Sequence, residues 1–185
     1  MEKKRNGPAE AGRGMDGKRK AIVGEIPGLR RYARALLRDA DAADDLVQDC
    51  LERAFSRLDN WQTGTSPRRW LFTLMHNLFV DGVRARKRRS ELVAGAKLDT
   101  QEVTRAPEQN GVLDLQDVLD ALQEVGSDRR AAILLVGVEG MSYAEAAEIL
   151  GIPTGTLMSR VARGRQDLRE ILDVARRRRI LKAVE

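Results

Sequence analysis

The groups in this sequence best placed to act on a partner lie in one short stretch, and their chemistry is recognition of a nucleic-acid duplex. Ser142-Tyr143-Ala144-Glu145 forms a capping box: the serine hydroxyl can accept from the Glu145 amide while the Glu145 carboxylate accepts from the Ser142 amide. The helix it opens, Ala144 to Leu150, meets Gly151, which suits the left-handed position after a helix end. Ile152-Pro153-Thr154 then leads into a second helix with Leu157, Val161, Leu168, Ile171 and Leu172 on its inner side. Two helices joined by a short glycine turn make a helix-turn-helix, whose second helix enters the major groove N-terminal end first. Thr154, Thr156, Ser159, Arg160 and Arg163 lie off its apolar stripe and can touch DNA. Arginine can bind guanine O6 and N7 bidentately, and the hydroxyls and helix N-terminus suit phosphate. The competing reading is a plain helical hairpin with a solvated basic face.

Other chemistries find little material. The chain has one histidine, His76, and one cysteine, Cys50, so a zinc site of the usual four N or S ligands and an internal disulfide are both excluded. A Ser-His-Asp or Cys-His constellation would have to use His76, whose neighbourhood is a helix with no nucleophile at a recognisable elbow. No Gly-rich phosphate loop follows a strand. An enzyme is not expected, nor a cofactor, a small-molecule substrate or a metal.

The elements that must position these residues are helical. With 185 residues, the chain has room for one ordinary domain or two small ones, and its apolar residues are mainly Leu, Ala, Val and Ile with few aromatics, which suits packed short helices. Leu29, Tyr32, Ala33, Leu36 and Leu37 make a first stripe. Ala43, Leu46, Val47, Cys50, Leu51, Ala54, Phe55 and Leu58 make a longer one, placing Cys50 in the core. Residues 59–66 read as a loop, Ser66-Pro67 as a helix start, and Trp70, Leu71, Leu74, Met75, Leu78, Phe79 and Val83 as a third stripe leaving the core through Arg84, Arg86, Lys87, Arg88 and Arg89.

Periodicity is lost over 90–112, a mildly acidic linker with Gly95, Pro107 and Gly111. It resumes with Leu113, Leu115, Val118, Leu119 and Leu122; Gly126 ends that helix, Ser127 caps the next, and the apolar run from Ala131 to Val138 breaks at Gly140. That run is β-branched enough to be read as a strand, but nothing nearby could pair with it. The expected fold is all-α: two small helical domains, 21–89 and 113–175, joined by a flexible linker, the second a helix-turn-helix. Segments 1–20 and 176–185 are expected as basic tails, the first disordered.

Charge is unevenly spread. The formal net charge is +5, but the two ends carry +8 and the body from Ala21 to Asp173 carries −3. Basic strips alternating with acidic faces suit a protein that meets both DNA and a basic protein surface. Without a roughly 20-residue apolar run or an apolar start, neither membrane insertion nor secretion is expected, and the location is expected to be cytoplasmic.

Three motifs in order resemble the extracytoplasmic-function (ECF) type of bacterial RNA polymerase sigma factor, with regions 2 and 4 only: Ala43-Asp44-Asp45-Leu46-Val47-Gln48-Asp49-Cys50-Leu51-Glu52-Arg53-Ala54; Arg69-Trp70-Leu71-Phe72-Thr73-Leu74-Met75-His76-Asn77; and Gly140 to Gly151 with Gly155-Thr156-Leu157-Met158-Ser159-Arg160. The resemblance spans about Ile26 to Leu172. It implies core RNA polymerase as a partner for the face bearing Asp44, Asp45, Gln48, Asp49 and Glu52. It implies minus-10 promoter DNA as the ligand of Trp61, Arg68, Arg69, His76, Asn77, Arg84 and Lys87, with Asn77 and the loop 61–66 forming a pocket for an unpaired base. Minus-35 DNA would meet Thr154, Thr156, Met158, Ser159, Arg160 and Arg163, and an anti-sigma factor would hold the protein inactive. On the residues alone, Trp70 falls on the apolar stripe and reads as core.

The sequence departs from the family at Val125-Gly126, where many members have Leu-Pro. It also departs at Met158, where a basic residue is common, and at Ala162, where an aromatic often stands, so a different minus-35 element is expected. The alternative is a helix-turn-helix regulator that binds operator duplex without polymerase, its first module serving sensing or dimerisation. The acidic helix face and the tryptophan-bearing loop discriminate, because a duplex-only regulator needs neither.

Overall fold

The computed structural model of the chain describes residues 8–58, 61, 66–92 and 115–182. Among them there is no strand. The helices are α1 (Pro8–Leu36), α2 (Ala40–Ser56), α3 (Pro67–Leu92), α4 (Leu115–Glu124), α5 (Ser127–Ile133), α6 (Tyr143–Leu150) and α7 (Thr154–Lys182), with a wider π-helical segment, Leu134–Val138, continuing α5.

Helices α1 to α3 close the first core. Asp39 caps α2 by accepting from the amides of Asp41 and Ala42 at 2.9 and 3.0 Å, a device worth about 1 kcal/mol. Proline opens α3, and the Ser66 carbonyl accepts from the Trp70 amide at 3.1 Å. Inside, Leu29, Tyr32 and Leu36 of α1 meet Val47 and Cys50 of α2 and Leu71, Phe72 and Met75 of α3, all buried, and the Tyr32 and Phe72 rings lie 5.3 Å apart and tilted. Each aliphatic, Phe or Met side chain among them contributes about 1.5–3 kcal/mol by leaving water, whereas the Tyr32 hydroxyl is buried without a hydrogen-bond partner, which offsets part of the gain from its ring. Cys50 is buried as expected; burial pushes its thiol up to about 12, so it is a packing residue rather than a nucleophile.

Two boundaries differ from expectation. The segment 1–20 is helical from Pro8 onward, and α1 runs through Pro27, which removes one helix hydrogen bond. The extension is anchored by Lys18, whose ammonium donates to the carbonyls of Leu58 and Trp61 at 3.1 and 2.8 Å. At the other end α7 continues past 175 to Lys182, as a run of arginines with good helix propensity allows. Most of the linker and Leu113 lie outside the described residues.

The second module packs α5 and α6 against α7. Gly164 lets α5 and α7 approach closely: a Cβ there would meet Ile133 Cδ1 at 2.6 Å. Gly126, not Ser127, is the N-cap of α5, and no side chain caps that end. The capping box of α6 forms as expected, Glu145 N–H to Ser142 Oγ at 3.2 Å and Ser142 N–H to Glu145 Oε2 at 3.0 Å. Gly151 closes the helix at φ 62°, the left-handed region a side chain resists. Residues of both modules join one hydrophobic cluster, with α3 against α6 and α1 against α4, α5 and the π segment. The two domains are therefore docked on each other, an arrangement the linker reading does not anticipate.

Candidate nucleic-acid interface

Helix α7 owes its orientation to Leu157 and Val161, both buried against the rest of the module. Those anchors leave Thr154, Thr156, Met158, Ser159 and Arg163 exposed along its first turns, with Thr156, Ser159 and Arg163 on one face and Thr154 and Met158 to the side of it. Ser159 is partly spent, its hydroxyl donating to the Thr156 carbonyl at 2.8 Å. Arg160 is held back further: its guanidinium pairs with Asp128 at 2.8 Å and its side chain is 29% exposed. With Ser127, Arg129 and Arg163 these groups line an open cleft beside the recognition helix.

On α2 the buried stripe of Ala43, Leu46, Val47, Cys50 and Ala54 turns Asp44, Asp45, Gln48, Asp49 and Glu52 outward, all exposed. Gln48 donates to Glu52 at 3.0 Å, and Asp44 lies 3.6 Å from Arg34. The result is an exposed acid and amide surface on α2, suited to steering toward a basic protein surface.

The expected single-strand site is less uniform. Asn77 is exposed on α3, as are Arg84 and Lys87 about two to three turns nearer its end. Trp61 does not stand ready for a base: it is buried, stacked on Trp70 at 5.9 Å, with the Lys18 ammonium over its ring. Trp70 and Lys18 thus cover the Trp61 ring that the resemblance assigns to minus-10 DNA, and residues 62–65 of the loop assigned with it lie outside the described residues. Arg68 and Arg69 are engaged by the second module: Arg68 with Glu139 at 2.8 Å and Arg69 with Glu148 at 2.7 Å.

His76 turns inward rather than toward a ligand. Its Nδ1 is buried without a hydrogen-bond partner, its ring lies 6.4 Å from Phe79, and burial pushes its pKa down to about 4, with Asp128 of the second module opposing. Folding therefore favours the neutral ring, and the stability this supplies is complete above about pH 6.5 and is lost as pH falls toward 4. We expect a loss of about 2 kcal/mol between pH 7 and pH 5 from this group. Urea midpoints at the two pH values should show it for the wild type, and a His76→Gln chain should show a smaller drop; an equal drop in both would refute the assignment.

Three residues of the site have little sequence signal. Lys18 lies in a tail with a disordered composition, and Arg31 is one of several exposed arginines. Glu139 could have been noticed as a lone acid closing an apolar run before Gly140. Among the described residues, no cluster of His, Cys, Asp and Glu could hold a metal, and no helix is long and apolar enough to cross a membrane.

A family model described as the Sigma2 domain of PhyR matches residues 22–76, and one described as Sigma-70, region 4, matches residues 115–168. The ECF RNA polymerase sigma factor EcfG of Rhodopseudomonas palustris is 40% identical over 159 residues, covering 86% of this chain and 87% of that one. The ECF RNA polymerase sigma factor SigC of Mycobacterium tuberculosis is 34% identical over 138 residues, 72% of each chain. Among solved structures, the sigma factor RpoE of Bartonella quintana, crystallised with the anti-sigma factor NepR, is similar with a TM-score of 0.72 and 39% identity, over 84% of this chain and 96% of that one.

Proposed function

Because the chain belongs to the ECF RNA polymerase sigma factors, we propose that it docks on core polymerase through the outer face of α2, reads unpaired minus-10 DNA along α3 and reads minus-35 duplex with α7. The observation that carries this reading is the coexistence, in one chain, of an exposed acid and amide face on α2 and a capped helix-turn-helix ending in α7. Duplex recognition needs only the second of these; the first is explained by a protein partner. An anti-sigma factor is the natural inhibitory partner, as NepR is bound to the similar RpoE.

The direct test is capture of core RNA polymerase by the purified chain, followed by transcription from a promoter that the core enzyme alone does not use. Stable capture with promoter-dependent transcripts is the expected result. Operator binding without polymerase capture would instead favour a stand-alone regulator.

Asn77 provides a finer test. Drawing a base out of the stack costs a few kcal/mol, and the exposed Asn77 amide, on the helix that carries Arg84 and Lys87 about two to three turns further on, can offset part of it by hydrogen bonding to the base edge. Asn77→Ala should preserve polymerase and minus-35 binding but lower initiation on duplex promoters roughly fivefold, the effect of one lost hydrogen bond of about 1 kcal/mol. Permanganate reactivity of minus-10 thymines should fall in parallel. Wild-type reactivity in the variant complex would leave Asn77 an ordinary surface residue.

A further inference from the structure

Among the described residues, Glu139 is the one charged residue that is buried. Its side chain is fully buried, yet both of its side-chain partners belong to the other module. Arg31 of α1 grips it bidentately, Nε to Oε1 and Nη2 to Oε2, each at 2.8 Å. Arg68 of α3 donates from Nη2 to Oε2 and to the Glu139 backbone carbonyl, both at 2.8 Å. Gly28 makes room for the carboxylate: a Cβ there would lie 3.3 Å from Oε2. One step along α3, Arg69 holds Glu148 at 2.7 Å, and Arg68, Arg69 and Glu139 line one cleft between the modules.

Two guanidiniums closing on one anion, one of them in a bidentate fork, is an arrangement that serves phosphate as well as carboxylate. Its other features suit exchange rather than permanent structure. The arginine side chains remain 52% exposed at Arg31, 36% at Arg68 and 40% at Arg69, so the guanidiniums are open to an outside anion; the Arg69–Glu148 pair is exposed on both sides and screened by salt, whereas the Glu139 carboxylate is shielded until the modules part. Glu139 is buried by the other module, so separation of the modules would return its carboxylate to water. The same α3 that carries Arg68 and Arg69 leads on to Asn77, Arg84 and Lys87.

We propose that Arg31, Arg68 and Arg69 form one anion-binding surface on the first module, for which the carboxylates of Glu139 and Glu148 compete with the phosphates of single-stranded promoter DNA. In the docked form the second module presents two acids in place of two phosphates, and the free chain is thereby kept from binding DNA. A strand offers many phosphates to the same track and gains further from counterion release, so it can displace two carboxylates once the modules part. Arg31, on α1, becomes a contact to DNA that the sequence motifs do not include. This inference rests on the minus-10 reading of α3 but does not need polymerase for its test.

The probe is a fluorescein-labelled single-stranded 12-mer of mixed sequence, titrated with the full-length protein at low salt and followed by anisotropy. Glu139→Gln/Glu148→Gln should bind it roughly tenfold more tightly than the wild type, the gain expected if about one-tenth of wild-type molecules are open. Adding Arg31→Ala to that double variant should reverse most of the gain, and raising the salt should narrow the difference between wild type and double variant. Circular dichroism checks that the double variant is folded. If it is not, Glu148→Gln alone, at a site 60% exposed, should give a smaller gain of the same sign. Equal affinities for the wild type and the folded acid variants, or no effect of Arg31→Ala in the double variant, would overturn the competition. Failure of the chain to capture core polymerase would sink the sigma reading separately, since the anisotropy ratio contains no polymerase.

Discussion

A chain carrying Asp45→Lys and Asp49→Lys is expected to lose core polymerase while keeping its fold. Both carboxylates are exposed and sit four residues apart, so they share one face of α2. The buried side of the helix, Leu46, Val47, Cys50 and Ala54, is untouched by the change, and the Asp39 cap stays in place. Lysine near the helix start opposes the dipole by well under ~1 kcal/mol, too little to unfold the module. Against a basic partner surface, by contrast, two attractive charges become two repulsive ones, and like-charge juxtaposition costs several kcal/mol. A loss of at least about 100-fold in affinity for core polymerase should follow, with helical content by circular dichroism unchanged. Retained capture by a folded double variant would remove α2 from the docking surface.

The second large effect concerns α7. Arg160→Ala and Arg163→Ala should each cost about 1–3 kcal/mol in binding of a minus-35 duplex if the guanidinium reads guanine, and the loss should vanish on a scrambled duplex. A loss that is uniform across sequences, with the salt slope reduced by about one, would mark a phosphate contact instead. Arg163 is exposed and free to approach, whereas Arg160 must first leave Asp128, 2.8 Å away. The Arg160 effect should therefore fall toward the lower end of that range and rise when Asp128 is replaced by Asn, because the competing carboxylate is gone. Fluorescence anisotropy on matched and scrambled duplexes, with and without the Asp128 change, separates these cases. Wild-type affinity in both arginine variants would place the recognition face elsewhere on the helix.

What the sequence disclosed was whatever is decided locally. The capping box at Ser142, the left-handed Gly151 and the apolar stripe of α2 each depend on residues within a few turns of one another, so spacing alone locates them. Contacts between distant segments are not written in any such spacing. Arg31 and Glu139 are 108 positions apart and Arg68 and Glu139 are 71 apart, and in isolation each looks like a solvated charge. The same holds for Trp61: a tryptophan in a polar loop invites a base-stacking reading until Trp70 and Lys18 are found on it. The helix position of His76 likewise does not reveal Asp128 and Arg160 of the second module, whose charges act on its ring. The family resemblance located the interfaces by analogy, but gave no hint that three of the arginines assigned to DNA, Arg68, Arg69 and Arg160, would already hold carboxylates.

The π-helical segment before Glu139 has an evolutionary corollary. The Glu139 amide reaches five residues back to the Leu134 carbonyl at 2.9 Å, so this turn spends one residue more than an α-turn would. Elsewhere in a helix, losing one codon rotates everything downstream by about 100° and scrambles the buried face. Here the surplus residue can be absorbed, with the wide turn tightening while α5 and the Gly140 turn keep their places. Single-residue length differences among homologous chains should accordingly collect between Leu134 and Val138, making this short stretch the point where the second module can change length without losing its frame.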